Sequence, residues 1–269
     1  MTIRQYVLVL ACALVGGVIT GVYSFVATPL YESSVLLMPE PDEQAGLPAG
    51  LSAGLGSIAS LAGVNVGGEN RLHIEAMATL KSRSFVLGFI DQNALRPILF
   101  ANRWSTTQST WKKSPPSDDD VLERFLEDVL VVREDSGDGL VTVSVIWYDP
   151  ELARSWANLL AEAINSEMRN RSRDLAEASI EYLEQELAKT SNVAVQQAIG
   201  ALLEKQITNV MVANVRPQYA FRVIDPAIAS SLDNPVFPKP VLLVGAGVFL
   251  FGLSSAGFFF LRNSSRHPR

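Results

Sequence analysis

Two long apolar stretches lie near the ends of the chain, and shorter patterns of apolar and polar residues lie between them. Tyr6 to Ala27 and Val241 to Leu261 contain no charged side chain. A helix needs about 20 apolar residues to cross a bilayer. The pattern therefore predicts transmembrane helices at 6–28 and 241–261, with a separate domain at 29–240 between them. For the second stretch, the alternative is a very apolar interior helix.

Shorter patterns within 29–240 predict strands and helices. The apolar residues favour a strand at Val35 to Met38, a helix at Leu72 to Gln92, and a last strand at Tyr219 to Ile224. Asp118 to Asp120 open another predicted helix that runs through Leu130. Alternating positions at Val129 to Arg133 and Leu140 to Trp147 surround a Ser-Gly-Asp-Gly turn and predict a β-hairpin. The polar stretch from Trp104 to Pro116 is predicted to be a loop.

The longest helical pattern begins after Asp149-Pro150-Glu151, which supplies a cap, a proline at the first helical position and an acidic first turn. It continues without a break to Lys189, about 60 Å of helix at 1.5 Å per residue. Thr190 to Asn192 indicates a bend and a second cap, followed by another helix. We expect an α+β fold with a membrane-proximal mixed sheet. The long helix (150–189) and its partner form a helical arm that projects from this sheet.

Charge indicates how the chain is oriented in a membrane. All 28 acidic residues and 18 of the 22 basic residues lie within 29–240, so this segment carries a formal charge of −10. The other four are Arg4, Arg262, Arg266 and Arg269. Because positive residues are retained in the cytoplasm, residues 1–5 and the tail 262–269 are expected to be cytoplasmic. The domain at 29–240 is then periplasmic, and the protein spans a bacterial inner membrane twice.

Few residues could carry catalysis or bind a metal. Cys12 lies inside the first apolar stretch, where a membrane-embedded thiol is favoured over a lipoprotein cleavage site. His73 has no Cys or second His nearby and is predicted to lie on the surface. The acidic triplet at 118–120 suits a helix N-terminus better than a metal. The Ala-Gly-Leu repeats at 45–55 lack the Gly-Lys pair of a phosphate loop. They are either a mobile loop or a small-residue helix that packs only in an assembly, and we favour a loop that orders partly on oligomerisation. We predict no enzyme, no cofactor and no nucleic-acid partner.

Glycines and prolines mark the predicted functional positions. Gly17 and Gly21 form a G-x-x-x-G step that would allow close helix packing in lipid, although glycine is also common in transmembrane helices. The prolines would form a stiff joint between the domain and the second span, or a simple spacer. The full predicted set for packing and the membrane-proximal joint is Gly17, Gly21, Pro226, Pro235, Pro238, Lys239, Pro240, Gly245 and Gly247.

The order of these features resembles the polysaccharide chain-length determinants, the Wzz-type polysaccharide co-polymerases. The resemblance rests on the two terminal spans, on Pro29-Leu-Tyr31-Glu-Ser and Leu80-Lys-Ser-Arg83-Ser-Phe85, and on Asp225-Pro226 followed by Pro235 and Pro238-Lys239. It implies a ring of protomers that sets the length of an O-antigen, capsule or exopolysaccharide made by a membrane polymerase. The arm is shorter than in exopolysaccharide members, and the eight-residue tail is too short for the kinase domain of some relatives.

The resemblance implies several partners and leaves other functions open. The expected partners are identical protomers, the polymerase and the lipid bilayer, with the lipid-linked glycan as a further candidate and any kinase as a separate chain. A periplasmic ligand sensor is an alternative, although such sensors normally continue into a cytoplasmic output module. A third interpretation is an accessory subunit of an exporter. The sequence distinguishes this function poorly from that of a chain-length determinant.

Overall fold

The computed structural model describes residues 3–40 and 71–264, with the side chains of residues 10–40 and 71–255. The predicted Ala-Gly-Leu segment and Arg266 and Arg269 of the tail lie outside the described residues. Contacts divide the chain into two units. One comprises Met1–Glu32, Ile146–Ala153 and Ala229–Arg269, and the other comprises Ser33–Val145 and Arg154–Ile228.

Helices and strands follow one another along the whole described chain. In order they are α1 (Ile3–Val26), β1 (Tyr31–Pro39), α2 (Arg71–Leu80), α3 (Arg83–Gln92), α4 (Arg96–Leu99), β2 (Trp104–Ser105), β3 (Thr110–Trp111), α5 (Asp118–Arg124), a π-helical turn (Phe125–Val129), β4 (Leu130–Glu134), β5 (Val141–Trp147), α6 (Pro150–Lys189), α7 (Val193–Val215), β6 (Phe221–Asp225) and α8 (Pro240–Ser264).

The central sheet has the strand order β4-β5-β1-β6. The predicted hairpin is confirmed, since β4 and β5 pair antiparallel with Val132 opposite Val143. The prediction that the first and last strands share this sheet is also confirmed, because β1 and β6 pair antiparallel with a bulge between Leu36 and Leu37. The last strand begins two residues later than predicted.

Side chains from the sheet and from α6 form the core of the second unit. The inward residues of β1 and β5 are fully buried, as expected for alternating positions on a half-covered sheet. Leu160 and Ile164 of α6 are equally buried, and the rings of Phe89 and Phe125 lie 6.0 Å apart between centroids. The fully buried core members of the strands are Val35, Leu37, Val141, Val143, Val145 and Phe221.

The long helix has the bounds predicted from the sequence, Pro150–Lys189. Asp149 Oδ1 accepts hydrogen bonds from the backbone N–H groups of Glu151 at 2.8 Å and Leu152 at 3.3 Å, which confirms the predicted cap. At the other end, Asn192 Oδ1 accepts from Ala194 N at 3.0 Å and caps α7. Both caps satisfy N–H groups that lack a partner in the first helical turn.

Three local predictions are corrected by the structure. The single helix predicted at 72–92 is two helices, because Ser82 leaves the helical conformation and its hydroxyl caps α3. The loop at 104–116 contains a short hairpin in which the indole rings of Trp104 and Trp111 meet edge to face at 4.9 Å. The helix opened by Asp118 ends at Arg124 rather than near Leu130, and a π-helical turn follows it.

His73 was predicted to be a surface residue, and this prediction is wrong. Its side chain is buried, with Nε2 at 2.9 Å from Glu134 Oε1 and its ring edge-on to Phe221 at 6.0 Å. An imidazole can be buried when one nitrogen finds a polar partner and the ring carbons pack on an aromatic ring. The residues next to His73 in the sequence do not indicate that its side chain is buried, because both contacts come from residues distant in the chain.

Within the described residues, we find no helix that is both long enough and apolar enough to span a bilayer. The two spans predicted at 6–28 and 241–261 therefore stay predictions.

Candidate functional site

Close packing of α1 against α8 brings small residues of both helices together. Thr20 Oγ1 donates to Gly16 O at 3.0 Å, which holds the side chain against its own helix. A Cβ atom added at Gly247 would clash with Thr20 Oγ1 and would lie only 2.8 Å from Gly16 O. At this crossing a side chain on Gly247 would collide with backbone, so the observed approach requires glycine.

The two glycines of the predicted G-x-x-x-G step also face α8. A Cβ at Gly17 would lie 2.8 Å from Val248 Cγ2, and one at Gly21 would lie 3.6 Å from Val244 Cγ2. Gly245 differs, because a Cβ there would meet nothing within 4 Å. The structure thus brings Gly17, Gly21 and Gly247 together and leaves Gly245 out. The role of these glycines in a lipid bilayer stays a prediction.

The proline segment, Asp233 to Pro240, is bound to the residues that follow α1. Val236 N donates to Leu30 O at 2.8 Å, and Leu30 N donates to Phe237 O at 2.8 Å. Tyr31 Oη donates to Leu232 O at 3.4 Å, just before the segment. The two backbone bonds connect the residues just after α1 to the residues just before α8.

The predicted joint residues differ in exposure along this segment. Pro235 is half-buried and Pro238 is buried, whereas Lys239 and Pro240 are exposed. Pro240 is the first residue of α8, a position where the missing backbone donor costs no helical hydrogen bond. Pro226 lies elsewhere, directly after β6 in the second unit. The structure therefore groups four of the five predicted joint residues.

Two asparagines of α6 bind backbone groups at the start of β6 and just after its end. Neither was predicted from the sequence. Asn165 is buried, and its side-chain nitrogen donates to Phe221 O at 2.9 Å. Its oxygen accepts from Ala220 N at 2.8 Å and Phe221 N at 2.9 Å. Asn158 makes the same kind of paired contact with the N–H and C=O groups of Ala227, both at 3.0 Å. Their spacing of seven residues, which places both side chains on one face of α6, was the available signal.

The acidic triplet at the start of α5 binds arginines. Arg96 donates to Asp91 at 2.6 Å and to Asp118 at 2.8 Å, and Arg83 donates to Asp119. The hydrogen bond to Asp91 is the largest influence that raises the pKa of Arg96 above its ordinary value. Asp119 raises the pKa of Arg83 in the same way. Among the described residues, no group of His, Cys, Asp and Glu side chains is arranged to hold a metal ion.

The helical arm, formed by α6 and α7, exposes large apolar side chains. Leu175 and Tyr182 of α6 are 71% and 63% exposed, and Leu202 of α7 is 49% exposed. These three residues line one open groove of about 410 Å³. Exposed apolar side chains that share one groove are a feature of protein contact sites.

Comparisons with known proteins place a family match over the first part of the chain. Residues 2–93 match the family model described as "Wzz: Chain length determinant protein". This match confirms the resemblance predicted from the sequence, over about a third of the chain. The family is one of regulators rather than enzymes. No curated protein matches the chain.

Two solved structures are similar to this chain at low sequence identity. A full-length bacterial polysaccharide co-polymerase is 14% identical, with 98% of this chain and 95% of that chain covered and a TM-score of 0.39. A fragment of the WzzB polysaccharide co-polymerase of Salmonella Typhimurium is 12% identical, with 76% and 98% covered and a TM-score of 0.33.

Proposed function

We propose that this protein is an inner-membrane polysaccharide co-polymerase that regulates the chain length of a surface polysaccharide. The match of residues 2–93 to the chain-length determinant family is the observation that carries the proposal. In this role the protein has no active site of its own. It acts as an oligomeric periplasmic scaffold for a membrane polymerase and its lipid-linked glycan.

The proposed topology has two membrane spans, at 6–28 and 241–261, with residues 1–5 and 262–269 in the cytoplasm. Arg4 before the first span and Arg262, Arg266 and Arg269 after the second support this assignment. The packing of α1 against α8 through Gly17, Gly21 and Gly247 supports a pair of spans that associate with each other. The domain at 29–240 is then periplasmic.

The exposed apolar side chains of the arm support assembly into a ring. Leu175, Tyr182 and Leu202 lie on one groove, and contact with neighbouring copies would remove them from water. Burying an apolar side chain of this size contributes about 1.5–3 kcal/mol. Several such contacts per protomer would stabilise an oligomer.

Deleting the gene in its native host is expected to abolish the modal length of the surface polysaccharide on a gel. Wild-type protein supplied in trans restores the distribution. Leu202→Glu, which places a charge on the arm groove, should restore it poorly and reduce the oligomer in mild detergent. Gln197→Glu adds the same charge at an exposed polar position of α7 and should restore it fully. An unchanged polysaccharide profile after deletion would refute the proposed function.

Pro235→Ala combined with Pro238→Ala is expected to broaden or shift the polysaccharide length distribution without preventing membrane insertion. Both prolines fix φ and restrict the preceding residue, so their removal loosens the segment that connects the domain to α8. The measurement is glycan length at matched protein level. Pro115→Ala, at an exposed position in the segment before α5, is the control. If the double variant behaves like this control, the prolines form only a spacer.

A further inference from the structure

A cavity of about 680 Å³ lies in the first unit between the end of α1 and the start of α8. Its walls combine apolar side chains with two charged ones. The residues that matter for its chemistry are Phe25, Pro29, Asp233, Pro238, Lys239 and Leu242.

Lys239 and Asp233 place opposite charges on this one cavity. Both residues are exposed. Across residues 10–40 and 71–255, neither side chain forms an ion pair or a hydrogen bond, and Asp233 bonds only through its backbone N–H. Each charge is therefore available to a ligand. A ligand that carried only negative charge would be attracted by the amine and repelled by the carboxylate.

The apolar wall indicates what else such a ligand must carry. Phe25 is 92% exposed, and Val241 and Leu242 are 84% and 67% exposed. Apolar side chains this open on three neighbouring positions favour a hydrocarbon partner. A free amino acid would match the charges and leave this wall in water. A phospholipid with a primary amine in its headgroup supplies a phosphate for Lys239, an ammonium group for Asp233 and acyl chains for the apolar wall.

We propose that this cavity binds the headgroup of phosphatidylethanolamine. Lys239 Nζ donates to a phosphate oxygen, and the ammonium group of the lipid donates to the Asp233 carboxylate. The acyl chains lie along Phe25 and Leu242. This inference rests on the proposed membrane topology, which places the cavity at the outer surface of the bilayer, where a lysine can extend its amine to phosphates.

Native mass spectrometry of the detergent-purified full chain tests the inference. The protein is titrated separately with phosphatidylethanolamine, phosphatidylcholine and phosphatidylglycerol of equal acyl chains. We expect preferential retention of phosphatidylethanolamine, because the trimethylated amine of phosphatidylcholine cannot donate to Asp233 and phosphatidylglycerol has no amine. Loss of one charged hydrogen bond corresponds to roughly tenfold weaker binding. Lys239→Gln should therefore lower phosphatidylethanolamine retention about tenfold, with Lys113→Gln at an exposed site as the control.

Asp233→Asn should have a different effect from Lys239→Gln. It removes the partner of the ammonium group, so phosphatidylethanolamine retention should fall to the level of phosphatidylcholine while phosphatidylglycerol is retained equally or better. Equal retention of the three lipids by the wild-type protein would overturn the inference without any variant. So would a Lys239→Gln protein that retains phosphatidylethanolamine like its control. Neither result would affect the proposed function, which depends on the polysaccharide profile after gene deletion.

Discussion

Gly247→Leu is expected to separate α1 from α8, because a side chain at this position collides with the backbone of the opposite helix. The added Cβ would lie 2.7 Å from Thr20 Cγ2 and 2.8 Å from Gly16 O. A backbone carbonyl cannot rotate away as a side chain can, so the helices must move apart. Even one added methylene in a close-packed contact costs about 1–3 kcal/mol. Gly245→Leu is the matched control, since a Cβ there meets nothing within 4 Å.

An engineered disulfide measures this separation directly. The Cβ of a residue at position 252 would lie 3.6 Å from Ala13 Cβ, within the range of roughly 3.5–4.5 Å found in disulfides. Ala13→Cys with Gly252→Cys, in a Cys12→Ala background, should therefore cross-link within one chain on oxidation. Protection from maleimide labelling reports the yield. We expect Gly247→Leu to lower it roughly tenfold and Gly245→Leu to leave it unchanged. Equal yields in the two variants would contradict the packing described above.

Asn165→Ala is expected to lower the free energy of unfolding by about 3 kcal/mol or more, since it leaves buried backbone groups without partners. The lost bonds are those to Ala220 N, Phe221 N and Phe221 O. Each unsatisfied buried polar group costs about 1–3 kcal/mol, and the cavity left by the amide adds to this.

Asn170→Ala is the matched control for this change. Asn170 lies five residues further along α6, is half-buried, and makes no side-chain hydrogen bond to the described residues. Its replacement should change the unfolding free energy by less than about 0.5 kcal/mol. Urea unfolding of the full chain, followed by tryptophan fluorescence, gives both values. A loss in Asn165→Ala no larger than in Asn170→Ala would show that β6 does not depend on this side chain.

The spacing of apolar and polar residues predicted the helices and strands of this chain well, because these elements depend on residues that are close together in the sequence. The hairpin needed alternating residues around a glycine turn, and the bounds of α6 followed from Asp149 at one end and the break before Asn192 at the other. The split between α2 and α3 was missed because apolar spacing continues across it. Only the hydroxyl of Ser82 shows where the helix restarts.

The candidate site was harder to predict because it depends on pairs of residues far apart in the chain. The sequence singled out Gly17 and Gly21 by their spacing, but it could not show that Gly247 faces Thr20 whereas Gly245 faces open space. His73 and Asn165 were missed for the same reason. Each of these two buried side chains bonds to a partner more than fifty residues away in the chain, and no local pattern indicates that partner.

The two asparagines of α6 also affect the free edge of the central sheet. β6 is an outer strand of the sheet, and an outer strand exposes N–H and C=O groups to which a further strand can pair. Asn165 occupies both groups of Phe221, and Asn158 occupies both groups of Ala227. The edge is thus blocked at the start of β6 and just beyond its end. A further strand therefore cannot extend the sheet at Phe221, or continue it at Ala227, while these asparagine contacts are in place.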